Sequence, residues 1–255
     1  MEETMRAVAR ETRWTWHGRA LWSAVVAGVV LMSAIVPAGA LTPDACLAKK
    51  LKEWGKLRKC QATENGKVLQ GKTADPATCL TKFDDKLAAL NSKATTAGIK
   101  CRYGVNGDGT VTDYDTGLQW EQKTDDGSVH DKDNGYSWSA TFSPSANGTA
   151  FGSFLAELNF SSSNDGIAFT ACFAGHCDWR LPSLAELQTI VDCSQGTPCV
   201  DQTVFGPSIG QGYWSANSAT ISPASAWYLN MNDGSVSFTG KDDPLFIVRA
   251  VRSGL

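Results

Sequence analysis

The sequence predicts an α+β fold: a domain of short antiparallel strands with two helices, preceded by a disulfide-stapled α-helical hairpin. Three observations predict it. Apolar residues recur at helical spacing before Cys101, and segments after it alternate at strand spacing. All eight cysteines follow Ala40. The charge reverses near Cys101: residues 41–101 carry twelve Lys/Arg against six Asp/Glu, and residues 102–255 carry seven against seventeen. We therefore divide the chain into a leader (1–40), a basic hairpin (41–101) and an acidic, aromatic-rich domain (102–255).

The leader reads as a signal peptide. Arg6, Arg10, Arg13 and Arg19 make a basic start, Leu21 to Val36 is apolar apart from Ser23 and Ser33, and Ala38-Gly39-Ala40 supplies small residues for cleavage after Ala40. The apolar run of about 16 residues falls short of the roughly 20 that span a bilayer, which argues against a retained anchor. Pro43-Asp44-Ala45 before Cys46 is not a lipobox. The expectation is a secreted, periplasmic or cell-surface protein with no transmembrane span after cleavage.

In the hairpin, Thr42-Pro43-Asp44 is a helix start, with a hydroxyl cap, Pro in the first turn and an acid beside the helix N-terminus. Leu47, Leu51, Trp54 and Leu57 form one face of a helix expected to reach Gln61 and to break at Asn65-Gly66. Asp75-Pro76 repeats the start signal. Leu80, Phe83, Leu87 and Leu90 make a second stripe, and Ala97-Gly98 stops it. Antiparallel packing would bring Cys60 near Cys79 and Cys46 near Cys101, and a hairpin this small needs such staples. Lys49, Lys50, Lys52, Lys56, Arg58 and Lys59 make the first helix basic, either as a face for anions or as a solvated surface.

After Cys101 the elements are shorter. Thr110-Val111-Thr112 and Gly117 to Glu121 read as a hairpin around Asp113 to Thr116. Residues 122–150 are rich in Asp, Gly, Ser and Asn and read as loop, with a helical turn at Ser137 to Ala140. Phe151 to Asn159 is a short helix, and Ser161 to Asp165 a loop. Ser183 with Glu186 makes a capping box for a helix over Leu184 to Val191. Ala226 to Met231 alternates, Asn232-Asp233-Gly234-Ser235 turns with an Asp-Gly hairpin signal, and Val236-Ser237-Phe238 returns. Phe246 to Arg252 is a final strand. Trp120, Trp138, Trp179, Trp214 and Trp227 serve either as core or as sugar-stacking platforms, with most expected inside.

An even set of cysteines in an exported chain points to disulfides. Cys172 pairs with Cys177 and Cys193 with Cys199 if pairing is local, with a crossed pairing of these four left open. Zinc is the rival, since His176 lies among them, but the cysteines lack the tight spacing of zinc knuckles.

Several motifs recur together: Cys177-Asp178-Trp179-Arg180-Leu181-Pro182-Ser183-Leu184-Ala185-Glu186-Leu187, preceded by Asn106-Gly107-Asp108-Gly109-Thr110 and Thr116-Gly117-Leu118-Gln119-Trp120-Glu121, and followed by Tyr213-Trp214-Ser215-Ala216, Ala226-Trp227-Tyr228-Leu229-Asn230 and Val248-Arg249-Ala250-Val251-Arg252. That ordered set resembles the Lcl C-terminal domain family (Legionella collagen-like protein, C-terminal domain) over about residues 102–255. The resemblance implies a C-type-lectin-like fold and a surface-exposed or secreted binding module, with sulfated glycans as the ligand class of the family's namesake. Charge argues differently: the C-terminal domain is acidic, so polyanion affinity is expected on Lys49, Lys50, Lys52, Lys56 and Lys59, and the domain itself is expected to prefer neutral glycans or a protein.

Candidate chemistry is sparse. Asn106, Asp108, Asp113 and Asp115 partly match a calcium loop, but Gly104 stands where the first carboxylate belongs, so a Gly-rich turn is the reading we favour. Apart from the zinc set aside above, calcium is the one cofactor the sequence leaves possible, and none is expected. The Glu-Pro-Asn, Gln-Pro-Asp and Trp-Asn-Asp motifs of calcium-dependent lectins are missing. So are the Gly-x-Ser-x-Gly elbow, the Walker loop and His-Glu-x-x-His. Arg180, Glu186, Arg249 and Arg252 are expected to fix strand ends by ion pairing. No enzyme activity and no nucleic-acid partner are expected. The sequence thus points to an exported, non-catalytic binding or adhesion module for a glycan or an envelope partner, the alternative being a structural envelope protein with no sugar ligand.

Overall fold

The computed structural model describes residues 41–160 and 172–255. The expected signal peptide over 1–40 and the expected loop at Ser161 to Asp165 lie outside the described residues. Over the rest, the chain is α+β, with two helices packed together, two antiparallel sheets and four disulfides.

Helix α1 spans Pro43–Leu69 and α2 spans Pro76–Thr96. The Thr42 hydroxyl accepts from Ala45 N at 3.2 Å, and an Asp75 carboxylate oxygen accepts from Thr78 N at 3.1 Å. These caps satisfy amides that the first helical turns leave unpaired. Helix α1 does not break at Asn65-Gly66 as expected. Glu64 sits one residue before that pair and accepts from Lys67 Nζ at 2.6 Å and from the Asp75 amide at 2.8 Å, so the would-be break is tied to the start of α2. The helix stops at Gln70, followed by Gly71 with φ +67°. Leu57, Phe83 and Leu87 form the contact between the helices, and Trp54 lies 4.5 Å from the Phe83 ring. Disulfides join Cys60 to Cys79 at one end and Cys46 to Cys101 at the other.

The first sheet has the order β1-β2-β3-β7, from Tyr103–Val105, Thr110–Asp113, Leu118–Glu121 and Val251–Ser253. Its register sets Val111 against Trp120 and Trp120 against Val251. The second sheet, β4-β5-β6, comprises Gly212–Ala219, Ser222–Asn230 and Val236–Gly240. The β5–β6 turn is longer than the two-residue hairpin expected from Asp-Gly: Leu229 faces Val236, and the Asn230 amide donates to Ser235 O at 2.8 Å.

Three further expectations are corrected. Ser137 to Ala140 forms no helical turn, because the Trp138 and Ser139 amides both donate to Lys241 O. The helix over Phe151 to Asn159 begins as a π-helical stretch, Ala150–Leu155, and becomes regular only as α3, Ala156–Asn159. The final strand is broken into pieces. The Ile247 amide donates to Gly212 O and Ile247 O accepts from Trp214 N, while Ala250 O accepts from Glu121 N and Val251 exchanges bonds with Arg180. Residues 246–251 thus run extended from the second sheet to the first, which a single ladder would not allow.

Helix α4, Leu184–Thr189, has the capping box at Ser183 and Glu186 and ends two residues earlier than expected, placing Ile190 in the core. One core cluster joins Val111, Trp120, Leu187, Tyr213, Leu229 and Val251 between the sheets. A second joins Trp138, Phe154, Trp179, Trp214 and Val248 beneath the irregular loops. Burying a large apolar side chain contributes roughly 1.5–3 kcal/mol, so these two clusters dominate the stability of the body.

Candidate functional site

Polar groups fall into three sets: a seam between hairpin and body, a buried ionic cluster, and the outer surface. The seam is made by the strand turn at Asp113 to Gly117. Asp113, fully buried, accepts from Arg102 Nε at 3.1 Å and Nη2 at 2.7 Å. Asp115 pairs with the buried Lys50 ammonium of α1 and accepts from Asn91 Nδ2 of α2. The Trp54 indole donates to Tyr114 O at 3.0 Å, and its ring lies against Gly117, where φ is +73° and an added Cβ would approach within 2.5 Å. Only glycine fits both that conformation and that contact.

The four calcium candidates are therefore distributed. Asp113 is held by Arg102 and Asp115 by Lys50 of the hairpin. Asp108 accepts from the Thr110 amide at 3.1 Å and its hydroxyl at 2.6 Å, and Asn106 donates to Thr110 and Thr112. These last two close the β1–β2 turn. The one close group of three carboxylates among the described residues is Asp125, Asp131 and Asp133. The acidic spacing of that loop was visible in sequence but carried no ligand pattern. Lys132 Nζ bonds Asp125 at 2.8 Å and Asp133 at 2.7 Å, while Asp131 accepts the amides of Asp126, Gly127 and Asp133.

The buried cluster was not anticipated. Glu121 and Lys123 have no exposed side-chain surface and bond at 3.0 Å. Glu121 also meets His130 Nδ1 at 2.8 Å and accepts from Ala250 N at 2.9 Å. Burial alone would raise the Glu121 carboxyl, but the Lys123 charge, His130 and the Ala250 amide hold it below the ordinary carboxylate value. Burial pushes the Lys123 ammonium down, and nearby Arg249 adds to that. Arg249, also buried, donates to Glu121 O, Phe205 O and Ser208 Oγ. The Ala250 and Arg249 bonds to Glu121 tie β3 to the segment before β7, and Arg249 joins that segment in turn to Phe205 and Ser208. In the sequence the pair shows only as two charges in Trp120-Glu121-Gln122-Lys123 at the end of a predicted strand, with nothing local to mark them as buried.

The other arginines lie apart from this cluster. Arg180 makes a two-pronged contact with Glu186 at 2.8 and 2.7 Å, which together with the Ser183 hydrogen bonds holds the Glu186 carboxyl below its usual range. Arg252 bonds Asp178 at 2.7 Å and Gln119 at 2.6 Å. The structure does not bring Arg180, Glu186, Arg249 and Arg252 to one point.

On the surface, Trp120, Trp138, Trp179 and Trp214 are buried, whereas Trp227 is half-buried and stands edge-on to exposed Phe238 at 5.1 Å. Lys49, Lys52, Lys56 and Lys59 are exposed and follow one another at spacings of three, four and three along α1. Lys50, grouped with them from sequence, is turned inward to Asp115 and is not part of that stripe. The disulfides Cys172–Cys177 and Cys193–Cys199 close short loops beside the body, leaving no free cysteine. No helix among the described residues is long and apolar enough to cross a membrane.

In comparison with known proteins, the family model for the Lcl C-terminal domain matches residues 109–252. No curated protein matches the chain.

Proposed function

The chain belongs to the Lcl C-terminal domain family, and from that premise we propose that it is an exported, non-catalytic binding or adhesion module that recognises a glycan or a partner at the cell surface or envelope. Its two-sheet body we read as C-type-lectin-like, with residues 41–101 and 102–255 as two domains joined by the seam. Four disulfides fit maturation in an oxidising compartment such as the periplasm or the exterior.

The observation that carries the reading is the direction of the polar groups. Glu121, Lys123, Arg249 and Asp113 spend their bonds on backbone and counter-ions inside the fold. What faces outward is recognition chemistry: the Trp227–Phe238 pair and the lysine stripe of α1. Burial of the other four tryptophans of the body favours the rival reading, a structural envelope protein without a sugar ligand, because it removes four candidate stacking platforms.

A glycan array probed with the disulfide-intact chain from residue 41 separates the two. Saturable binding to a glycan class supports the module. A blank array together with stable association with envelope fractions supports the structural reading.

A further inference from the structure

A cleft of about 370 Å³ opens where the end of the hairpin meets the body. Tyr103, Val204, Phe205 and Ile190 give it apolar walls, and Lys100, Arg102, Asp192 and Asp201 stand around them. We propose that this cleft takes one neutral monosaccharide unit of a glycan, held against Tyr103 between the Asp192 carboxylate and the Arg102 guanidinium. This deepens the glycan-binding reading above and rests on it.

The size is at the small end of ligand pockets, about 300–1,000 Å³, and suits a single sugar ring better than a longer segment. A pyranose presents apolar C–H faces and a rim of hydroxyls, and the cleft offers the complement of both. Tyr103 packs edge-on to Phe205 at 4.9 Å, and the Arg102 guanidinium lies over the Tyr103 ring at 4.7 Å. The aromatic wall and the cation are therefore held together before any ligand arrives. The neighbouring Cys46–Cys101 disulfide anchors the backbone on the other side of Arg102. Such preorganisation lowers the entropy lost on binding.

The polar groups keep valences to spare. One oxygen of Asp192 accepts from the Ser194 amide at 3.0 Å and hydroxyl at 2.5 Å, and the other has no hydrogen bond among the described residues. Arg102 uses Nε and Nη2 on Asp113, and its Nη1 is likewise unengaged. Lys100 Nζ bonds Asp201 at 2.7 Å and retains further donor capacity. A sugar hydroxyl both donates and accepts, so a carboxylate beside a guanidinium is a matched pair for adjacent hydroxyls.

Charge selects the class. Lys100 and Arg102 each already hold a carboxylate, Asp201 and Asp113, and Asp192 adds an anion with no salt-bridge partner among the described residues. Two cations and two carboxylates line the cleft, and with Asp113 counted behind Arg102 three carboxylates stand against two cations, both of which are already paired. A sulfate or uronate entering it would meet repulsion, whereas a neutral sugar would not.

The test uses the isotope-labelled chain from residue 41 with its disulfides intact. It is titrated with the methyl glycosides of glucose, galactose, mannose and N-acetylglucosamine, and with a sulfated heparin disaccharide, while amide shifts are followed by NMR. At least one neutral glycoside should give saturable shifts confined to residues 100–103, 190–192 and 201–205. Asp192→Asn, which keeps the oxygen that caps Ser194, should weaken that binding about tenfold, as expected for loss of a charge-assisted hydrogen bond, without altering the melting temperature. If the array shows glycan binding but these amides stay still, or Asp192→Asn binds unchanged, the site assignment fails and the glycan-binding reading stands. Stronger shifts of the same amides by the sulfated disaccharide overturn the neutral class. Blank results in both array and titration overturn site and reading together.

Discussion

Replacing Glu121 with Gln keeps shape and removes charge, and it probes the core of the fold. Three donors converge on this carboxylate: Lys123 Nζ and His130 Nδ1 on one oxygen, Ala250 N on the other. A carboxamide offers one acceptor oxygen and turns its own NH2 toward a donor on the other side, so at least one buried donor is orphaned. Lys123 is left without a counter-ion at a site with no exposed side-chain surface. Breaking a buried pair from one side costs about 3–5 kcal/mol. For a chain of this size each kcal/mol shifts the melting temperature by about 2–4 °C, so the expected fall is roughly 6–20 °C. Adding Lys123→Met should recover part of it, since the uncompensated ammonium goes too. The pH dependence has a definite sign. The folded Glu121 carboxyl lies below its unfolded value, so its stabilisation is present above the unfolded pKa, about 4.3, and is lost as pH falls through the lower folded value. The gap between the parent and Glu121→Gln should therefore be widest near neutral pH and close in acid. Calorimetry of both proteins over that range is the assay. A loss below about 1 kcal/mol at pH 7, or a gap that widens in acid, would refute the account of Glu121 as an ionised strand tie.

Other outcomes follow from the seam and the surface. Changing Lys49, Lys52, Lys56 and Lys59 together to Gln should make the intact chain elute earlier from a heparin column, with a flatter salt dependence, because those charges are exposed and screened. Lys50→Gln should leave heparin elution unchanged but cost about 1.5–3 kcal/mol in urea unfolding, because Lys50 is committed to Asp115. Removing the Cys46–Cys101 bridge, which closes a separation of 55 residues, should cost about 4 kcal/mol, against about 2 kcal/mol for Cys193–Cys199 with a separation of 6, as read by melting under non-reducing conditions. Gly117→Ala should destabilise by about 1–3 kcal/mol, because a methyl group there strikes the Trp54 ring, and Trp54→Leu in the same chain should relieve part of that loss.

Local signals in the sequence were read well where a few neighbouring residues decide the outcome. Asp75-Pro76 and Ser183 with Glu186 are caps whose bonds close within three residues, and the structure has both. Thr110 to Glu121 alternates around a tight turn and forms a hairpin. The misreadings came where distant partners intervene. Asn65-Gly66 looks like a break until Glu64 is tied to Asp75. Ser137 to Ala140 has a helical look, but the Trp138 and Ser139 amides are taken by the Lys241 carbonyl, about a hundred residues away. Strand β1, only three residues, carries too little pattern to stand out. The burial of Glu121 and Lys123 is not legible in the sequence, because nothing local reveals that Arg249, His130 and Ala250 close over them. The cleft beside Tyr103 is assembled from three separate stretches of chain, which spacing along one of them cannot reveal.

The segment from Phe246 to Val251 has a bearing on the order of events during biogenesis. It is synthesised after every element it joins, yet it supplies bonds to Tyr136, Trp214, Glu121 and Arg180. Until it emerges, the two sheets lack their shared crosspiece, and β3 lacks its outer neighbour. Contacts across such sequence separations make folding slow and leave earlier strands without partners while synthesis continues. The hairpin, by contrast, closes over neighbouring residues and can form its Cys60–Cys79 bridge early. A chain built this way can set its hairpin first, but its two-sheet body locks only when the final strand arrives.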